Sequence, residues 1–197
     1  MDKKNLEDKK SGPRKFIITP IANTVVVKSV KYKSKPDGWI KEIVDFGELG
    51  YYFGTKFEPR VEYLQWSPEG VGRGAHLESR SKIISVIFGR IYFCMLDLRP
   101  GDDFGKTNEF YLGEGKDSLG DSILVPEGVL NYLVPVGGEA FLNYIANSPY
   151  NKFDNGKTLD MRDHSLEFHL PDKSVQHIPE GEETNLMSYQ DFMSSLK

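Results

Sequence analysis

Residues 82–98 read KIISVIFGRIYFCMLDL, two runs rich in β-branched, aromatic and other apolar residues on either side of one glycine. Residues of these types favour strands, because their side chains pack well on a pleated, half-buried surface. Glycine adopts positive φ without a steric cost, so Gly89 is predicted to turn a hairpin between strands 82–88 and 90–98.

Similar short runs follow one another from Lys15 onward, separated by Gly, Pro, Asp and Asn. The further predicted strands are Thr24–Tyr32, Trp39–Asp45, Val61–Ser67, Asn108–Leu112, Ser122–Val125, Leu130–Pro135 and Ala140–Ala146. Many short antiparallel strands leave exposed edges, and closure into a double-sheet jelly roll protects those edges. The sequence therefore predicts an all-β fold, a jelly-roll barrel.

One helix is predicted, at the C-terminus, where Asn185–Leu196 places Leu186 and Met193 on one face. We expect this short C-terminal helix to pack on the barrel. Residues 1–14 are charged and contain no apolar run typical of a secretory signal. They are predicted to form a disordered tail ahead of a single domain spanning residues 15–197.

The charge balance limits the possible partners. The 197 residues include 25 Lys and Arg against 29 Asp and Glu, which gives a net charge of −4 with the two signs interspersed. This composition argues against a general nucleic-acid or anionic-membrane binder. The single cysteine, Cys94, excludes an internal disulfide and a multi-cysteine metal site, and its apolar neighbours indicate a small buried residue. We expect a soluble cytoplasmic protein.

Common catalytic motifs are absent from the sequence, including the Walker loop, the dinucleotide-binding glycine motif, His-Glu-x-x-His and Gly-x-Ser-x-Gly. Of the four histidines, His164, His169 and His177 lie in a polar segment and are typical of surface or capping residues. His76 differs, because Gly-Arg-Gly-Ala-His directly precedes the run that begins at Lys82. A histidine on an inward-facing barrel strand would meet the cavity, where it could act in catalysis.

Several segments occur in a characteristic order: Arg73–His76, Ser81–Gly89, Asp97–Arg99, Phe104–Lys106, Val125–Gly128, Phe141–Tyr144 and Pro149–Tyr150. Each is short, but their order and spacing together resemble the dTDP-4-dehydrorhamnose 3,5-epimerase family. These proteins are cupins that epimerise nucleotide-linked 4-keto-6-deoxysugars in deoxysugar biosynthesis. The resemblance extends from about Asp37 to Ser165 and implies a cupin jelly roll with this activity.

The resemblance also implies roles for individual residues. The family's arginine-Gly-x-histidine motif falls on Arg73 and His76, and the lysine before its glycine turn falls on Lys82. Its catalytic tyrosine falls on Tyr144, and its second, substrate-stacking tyrosine falls on Tyr150.

The chemistry of the reaction is consistent with these catalytic roles. A hydrogen on the carbon beside a ketone is weakly acidic, so its removal needs a positioned base and stabilisation of the enolate oxygen. His76 is the expected base and Lys82 the expected cation for that oxygen. Inversion requires an acid on the opposite face of the ring, a role that suits the neutral phenol of Tyr144. No cofactor is expected, because the C4 ketone of the substrate accepts the electron pair.

For substrate binding, the resemblance implies that the planar guanidinium of Arg73 meets the diphosphate. Gln65, Ser67 and Glu42 match family contacts to the nucleotide, although polar residues on half-exposed strands are ordinary. Asn131 occupies the position of a family histidine and can bind a sugar hydroxyl or ketone without carrying charge. Trp39 and Trp66 either stack on a base or fill the core.

The sequence departs from the family pattern near its start, because Asp37 stands where the family has a phosphate-binding arginine. The carboxylate that orients the catalytic histidine is not assigned, and Glu183 and Asp172 are the candidates. No metal is expected, because a metal centre beside His76 would need further ligands and Glu78 is the nearest in sequence.

Other functions remain open. A non-catalytic cupin that binds a nucleotide sugar would keep the fold without the chemistry. A sugar-nucleotide 3,4-ketoisomerase is similar around Arg73–His76, but it has a second histidine where this chain has Glu78. A metal-dependent cupin would need the His-x-His pair that this chain lacks. The resemblance implies a homodimer formed through N-terminal strands, with Thr24–Tyr32 as an exposed edge strand.

Overall fold

The computed structural model describes residues 15–34, 38–53, 57–149, 158–172, 174–178 and 186–196, with backbone only for residues 32–34, 51–53 and 76. The predicted N-terminal tail lies outside these ranges. The strands are β1 (Lys15–Ile18), β2 (Val25–Lys28), β3 (Val30–Ser34), β4 (Gly38–Glu42), β5 (Val61–Ser67), β6 (Val71–His76), β7 (Lys82–Phe88), β8 (Arg90–Asp97), β9 (Thr107–Gly113), β10 (Ser118–Gly120), β11 (Ser122–Val125), β12 (Val129–Pro135), β13 (Ala140–Ala146), β14 (Thr158–Leu159), β15 (Val175–Gln176) and β16 (Leu186–Met187). The helices are α1 (Phe46–Phe53) and α2 (Tyr189–Ser194).

Two sheets form the barrel, and this confirms the all-β jelly-roll prediction. One sheet has the order β1-β2-β11-β7-β13-β5, and the other runs β10-β9-β8-β12-β6-β14-β16, with β15 beside β6. Side chains from both sheets meet in one apolar core, which includes Ile84, Phe93, Met95, Leu133 and Leu142. Because successive residues of a strand point to opposite faces, every second residue of these strands faces the interior.

The prediction of a hairpin at Gly89 is wrong. Strand β7 already has β11 and β13 on its two sides, and β8 has β9 and β12, so β7 and β8 lie in different sheets. Gly89, with φ of 84°, instead carries the chain from one sheet to the other. Its backbone passes so close to the segment 139–140 that a Cβ atom would meet the carbonyl oxygen of Glu139.

The segment Thr24–Tyr32 is not one continuous edge strand, and its first half is internal to a sheet. It divides into β2 and β3 at Ser29, whose backbone amide donates to Asp121 Oδ2 at 2.9 Å. Strand β2 lies between β1 and β11, and its three valines are buried, so the edges of this sheet are β1 and β5. Strand β3 pairs with β4 in a separate two-stranded ribbon.

Helix α1 was not predicted, because it has only eight residues and follows a strand-like run. Asp45 marks its start: Asp45 Oδ1 accepts hydrogen bonds from the backbone amides of Gly47 at 2.8 Å and Glu48 at 3.0 Å. Leu49 anchors the helix, since it is fully buried in a cluster with Val25 and Val27 on the outer face of the six-stranded sheet.

The C-terminal helix is present but shorter than predicted. Ser188 caps α2 by accepting a hydrogen bond from the Asp191 amide at 3.1 Å, and Phe192 is the fully buried residue of the helix. Leu186, which was assigned to the apolar face of the helix, lies in β16 instead because it pairs with Thr158 of β14. Among the described residues, no helix has the length and apolar character needed to cross a membrane.

The corner at Gly89 gives a test of the sheet assignment. Gly89→Ala combines a left-handed backbone with a clash against the backbone of residues 139–140, so we expect the free energy of unfolding to fall by about 3 kcal/mol. Gly137→Ala is the matched control, because Gly137 has φ of 74° and open space around its Cα; it should cost about 1 kcal/mol. Urea unfolding of both variants measures the difference, and equal losses would contradict the close packing at this corner.

Candidate active site

Strands β5, β7 and β13 lie side by side and place two of the three predicted catalytic residues, Lys82 and Tyr144, in the same sheet. Tyr144 of β13 is in register with Tyr63 of β5 on one side and Ile84 of β7 on the other. Lys82 begins β7 two residues before the core residue Ile84, so the two share the inner face. Lys82 and Tyr144 are each 5% exposed. The barrel interior thus holds both of these predicted catalytic side chains.

The ring of Tyr144 stacks on the ring of Tyr63, with centroids 4.8 Å apart and planes 8° from parallel. Burial raises the pKa of Tyr144 well above its ordinary value, Tyr63 and Glu78 raise it further, and Arg73 opposes them. The phenol is therefore neutral across the physiological range and retains a proton that it can donate. Sequence analysis missed Tyr63, although its position two residues before Gln65 places it on the same strand face.

A buried ion-pair cluster lies beside the two tyrosines. Glu78 accepts hydrogen bonds from Arg80 Nε at 2.7 Å and from Lys82 Nζ. Arg80 Nη2 also donates to the hydroxyl of Tyr63 at 3.1 Å. The side chains of Arg80, Lys82 and Glu78 are only 3%, 6% and 12% exposed. These contacts form a continuous chain from Lys82 through Glu78, Arg80 and Tyr63 to Tyr144.

Glu78 remains ionised in this environment. Burial alone would raise the pKa of its carboxyl group, but the charges and hydrogen bonds of Lys82 and Arg80 outweigh that effect and lower the pKa below 4.5. The cluster of Glu78, Arg80 and Lys82 therefore contains two cations and one anion. The sequence interpretation considered Glu78 only as a metal ligand and overlooked Arg80; the alternation of charges at positions 78, 80 and 82 was the available signal.

Three of the predicted substrate-binding residues lie together where β5 approaches β6. Gln65 Nε2 donates to Ser67 Oγ at 2.8 Å, and Arg73 Nε donates to the same oxygen at 3.3 Å. Ser67 is fully buried, so this contact fixes the guanidinium stem against β5. Within the described part of the chain this is the one side-chain hydrogen bond of Arg73, and its terminal nitrogens are available to an anion.

Asn131 is in register with His76, on the inner face of β12 between the core residues Val129 and Leu133. The side chain of His76 lies outside the described residues, and its backbone is flanked by Asn131 on one side and Thr158 on the other. Asn131 is 4% exposed, and its Oδ1 has no hydrogen-bond partner among the described residues. A buried carbonyl oxygen of this kind can accept a hydrogen bond from a donor outside the described residues.

The remaining candidates are not among the contacts described for this group. Glu42 ends β4 in the separate ribbon, and Asp172 is exposed in a turn. Tyr150, Asp37 and Glu183 lie outside the described residues. Trp39 and Trp66 do not fill the core, because they are 56% and 53% exposed.

The three histidines of the polar segment are all exposed, as expected of surface residues. His177 lies close to the site: its backbone amide donates to the Gly72 carbonyl at 2.9 Å, and burial together with the charge of Arg73 lowers its pKa. Among the described residues, no group of three or more His, Cys, Asp or Glu side chains could hold a metal ion.

The sequence matches the family model described as dTDP-4-dehydrorhamnose 3,5-epimerase over residues 19–193. No curated protein matches the chain in sequence. The fold is similar to that of RmlC from Streptococcus suis in complex with dTDP-D-xylose, with a TM-score of 0.75 and 21% identity over 94% of each chain.

Two further solved structures share this fold. The rmlC epimerase of Mycobacterium tuberculosis gives a TM-score of 0.78 at 18% identity, covering 92% of this chain and 91% of that one. ChmJ, a 3'-monoepimerase from Streptomyces bikiniensis in complex with dTDP-quinovose, gives 0.76 at 17% identity, covering 90% of this chain and 89% of that one. The shared architecture extends over nearly the whole of each chain.

The ion pairs of Glu78 predict a specific dependence of stability on pH. Because the folded-state pKa of Glu78 is lowered, its stabilising contribution is present above its unfolded pKa and is lost as the pH falls through the folded pKa. Glu78→Gln removes this titration. We expect its free energy of unfolding to fall less steeply than that of the wild type between about pH 5 and pH 3. Urea unfolding at a series of pH values tests this, and parallel curves would contradict the ionised cluster.

Proposed function

Because the chain belongs to the dTDP-4-dehydrorhamnose 3,5-epimerase family, a family of isomerases, we propose that it epimerises a nucleoside-diphosphate 4-keto-6-deoxysugar at C3, C5 or both. The observation that carries the proposal is the placement of Lys82 and Tyr144 together on the inner face of the barrel. A buried ammonium and a buried neutral phenol are the groups needed to stabilise an enolate and to return a proton.

In the proposed reaction, His76 removes the proton from the carbon beside the C4 ketone. The electron pair of the broken C–H bond forms the C–C double bond of an enolate, and the negative charge collects on O4. Lys82 stabilises that oxygen. Tyr144 then gives its proton to the opposite face of the carbon, which inverts the centre, and solvent restores both groups. The substrate's own ketone serves as the electron sink, so the chemistry requires no cofactor.

Substrate binding is assigned to the two strands beside the catalytic group. Arg73 is the proposed ligand of the diphosphate. Its guanidinium donates to Ser67 Oγ, which also accepts a hydrogen bond from Gln65. Asn131 Oδ1, which has no hydrogen-bond partner in the described part of the chain, is the proposed acceptor for a sugar hydroxyl. The resemblance supports Glu42 as a nucleotide contact, and it supports Tyr150 as the residue that stacks on the substrate.

The proposed protein partner is a second copy of the chain. Trp39 and Ile40 of the β3–β4 ribbon are 56% and 67% exposed, and on the edge strand β5 Leu64 and Trp66 are 77% and 53% exposed. Apolar residues on a ribbon and on an open sheet edge support an interface between copies that involves the N-terminal strands. The single cysteine, Cys94, is buried and forms no disulfide, which supports a cytoplasmic location.

Deuterium exchange tests the catalytic proposal. In heavy water with dTDP-4-keto-6-deoxyglucose, and separately with its GDP-linked counterpart, NMR should show deuterium entering C3, C5 or both. His76→Asn should reduce the rate by about 100-fold or more, because it removes the base. His164→Asn, a change of the same kind at an exposed histidine, should leave the rate unchanged.

The same spectra distinguish the other functions. A nucleotide-sugar-binding cupin would bind either compound without exchange, and a 3,4-ketoisomerase would produce a ketone at C3. Exchange that persists in His76→Asn would contradict the role of His76 as base.

Sedimentation equilibrium tests the dimer. The wild type is expected to have twice the 22.4 kDa mass of the chain, and Ile40→Lys should shift the protein toward monomer by placing a charge in the apolar interface. Phe104→Lys, at a residue 49% exposed in a loop of the barrel, is the control and should remain dimeric. A monomeric wild type would overturn this part of the proposal.

A further inference from the structure

We propose that Glu78 is a positioning residue of the active site. One of its carboxylate oxygens holds Lys82. The other holds Arg80, which through Tyr63 keeps the ring of Tyr144 in place. The inference rests on the proposed function, because it concerns how the enolate-stabilising cation and the acid are kept in place. Glu78 does not itself touch the reacting atoms in this proposal.

One carboxylate oxygen of Glu78 fixes the ammonium group of Lys82. Lys82 Nζ donates to Glu78 Oε1, and both side chains are almost fully buried. A free lysine side chain has four rotatable bonds and loses considerable entropy when it is held in one place. Because Glu78 already holds the ammonium group, Lys82 loses no further side-chain entropy when the enolate forms. A preorganised site stabilises the transition state in this way.

The other carboxylate oxygen of Glu78 fixes the acid, Tyr144, through Arg80 and Tyr63. Arg80 Nε donates to Glu78 Oε2 at 2.7 Å, and Arg80 Nη2 donates to the Tyr63 hydroxyl at 3.1 Å. The ring of Tyr63 in turn stacks in parallel on one face of the Tyr144 ring, with 4.8 Å between the ring centroids. The planar, forked guanidinium suits this task, because two of its N–H groups reach two different acceptors in fixed directions.

The charge of the cluster also suits the reaction. Lys82 and Arg80 carry two positive charges and Glu78 carries one negative charge, so the buried group has a net charge of +1. Formation of one enolate brings one negative charge into the same interior. Without Glu78, two buried cations would repel each other.

Glu78→Gln provides the first test, because it keeps the shape of the side chain and removes its charge. With the keto sugar as substrate, we expect kcat to fall at least tenfold while KM changes less than threefold, since the lost interaction acts on the transition state. Glu62→Gln is the matched control, because Glu62 precedes Tyr63 on β5 and is exposed on the other face. It should keep the wild-type kcat. An unchanged or higher kcat in Glu78→Gln would overturn the proposal.

A double variant separates positioning from charge balance, and it remains informative if Glu78→Gln alone fails to fold. Glu78→Gln with Arg80→Met removes one anion and one cation and keeps the net charge of +1. If Glu78 positions Lys82 and Tyr63, kcat stays at least tenfold low in a protein that folds normally by circular dichroism. If kcat returns to the wild-type value, Glu78 only balances charge, and the proposal is wrong.

A measurement without substrate makes this inference independent of the proposed function. Trace acetylation with acetic anhydride, followed by mass spectrometry of the peptide that contains Lys82, reports how firmly the ammonium is held. Labelling of Lys82 should rise at least fivefold in the double variant and stay unchanged in Glu62→Gln. If the wild type exchanges no deuterium, the proposed function fails, and the labelling still decides whether Glu78 holds Lys82. Equal labelling of Lys82 in wild type and variant would overturn the proposal.

Discussion

The side chains of Lys82, Arg80 and Glu78 form a largely buried cluster of two cations and one carboxylate beside the apolar core of the barrel. Charged groups are removed from water at considerable cost, and a buried pair is tolerated only when geometry and further hydrogen bonds compensate for that cost. Here one oxygen of Glu78 accepts a hydrogen bond from Lys82 and the other accepts one from Arg80. The hydroxyl of Tyr63 accepts a further N–H from the guanidinium of Arg80. Loss of one member alone would leave a buried charge without its partner, which is the costly case for a buried ion pair.

The strand order makes this cluster possible. Strand β13 lies between β5 and β7, so Tyr144 is directly opposite Tyr63 and one strand away from the β7 strand that begins with Lys82. Directly opposed side chains on antiparallel strands are about 5 Å apart at Cβ, which brings the two aromatic rings into contact. The short connection between β6 and β7 then places Glu78 and Arg80 beside them. The register of β5, β13 and β7 therefore determines which charged and aromatic side chains meet in the site.

Sequence analysis identified most of the long strands but predicted their partners poorly, and it missed β6, the strand that carries Arg73 and His76. The limits of Val61–Ser67, Lys82–Phe88, Ser122–Val125 and Ala140–Ala146 agree with the structure, because a run of strand-forming residues and its flanking turns are local features. The role of Gly89 was mistaken, because the neighbour of a strand is set by residues distant in sequence. The same limit applies to the site: Lys82 and Tyr144 follow from the family resemblance, whereas Arg80 and Tyr63 become recognisable only through the hydrogen bond that joins them.

Asn131 follows from the same electrostatic constraint. A histidine at this position, as the family has, would add a second group that can become positively charged on the inner face that already holds the net +1 of the Glu78, Arg80 and Lys82 cluster. Asparagine keeps a hydrogen-bond acceptor there and remains neutral at every physiological pH. Its Oδ1 is buried and has no hydrogen-bond partner among the described residues, and a buried acceptor without a donor costs free energy. In the proposed reaction a sugar hydroxyl supplies that donor, which assigns Asn131 to substrate binding rather than to proton transfer.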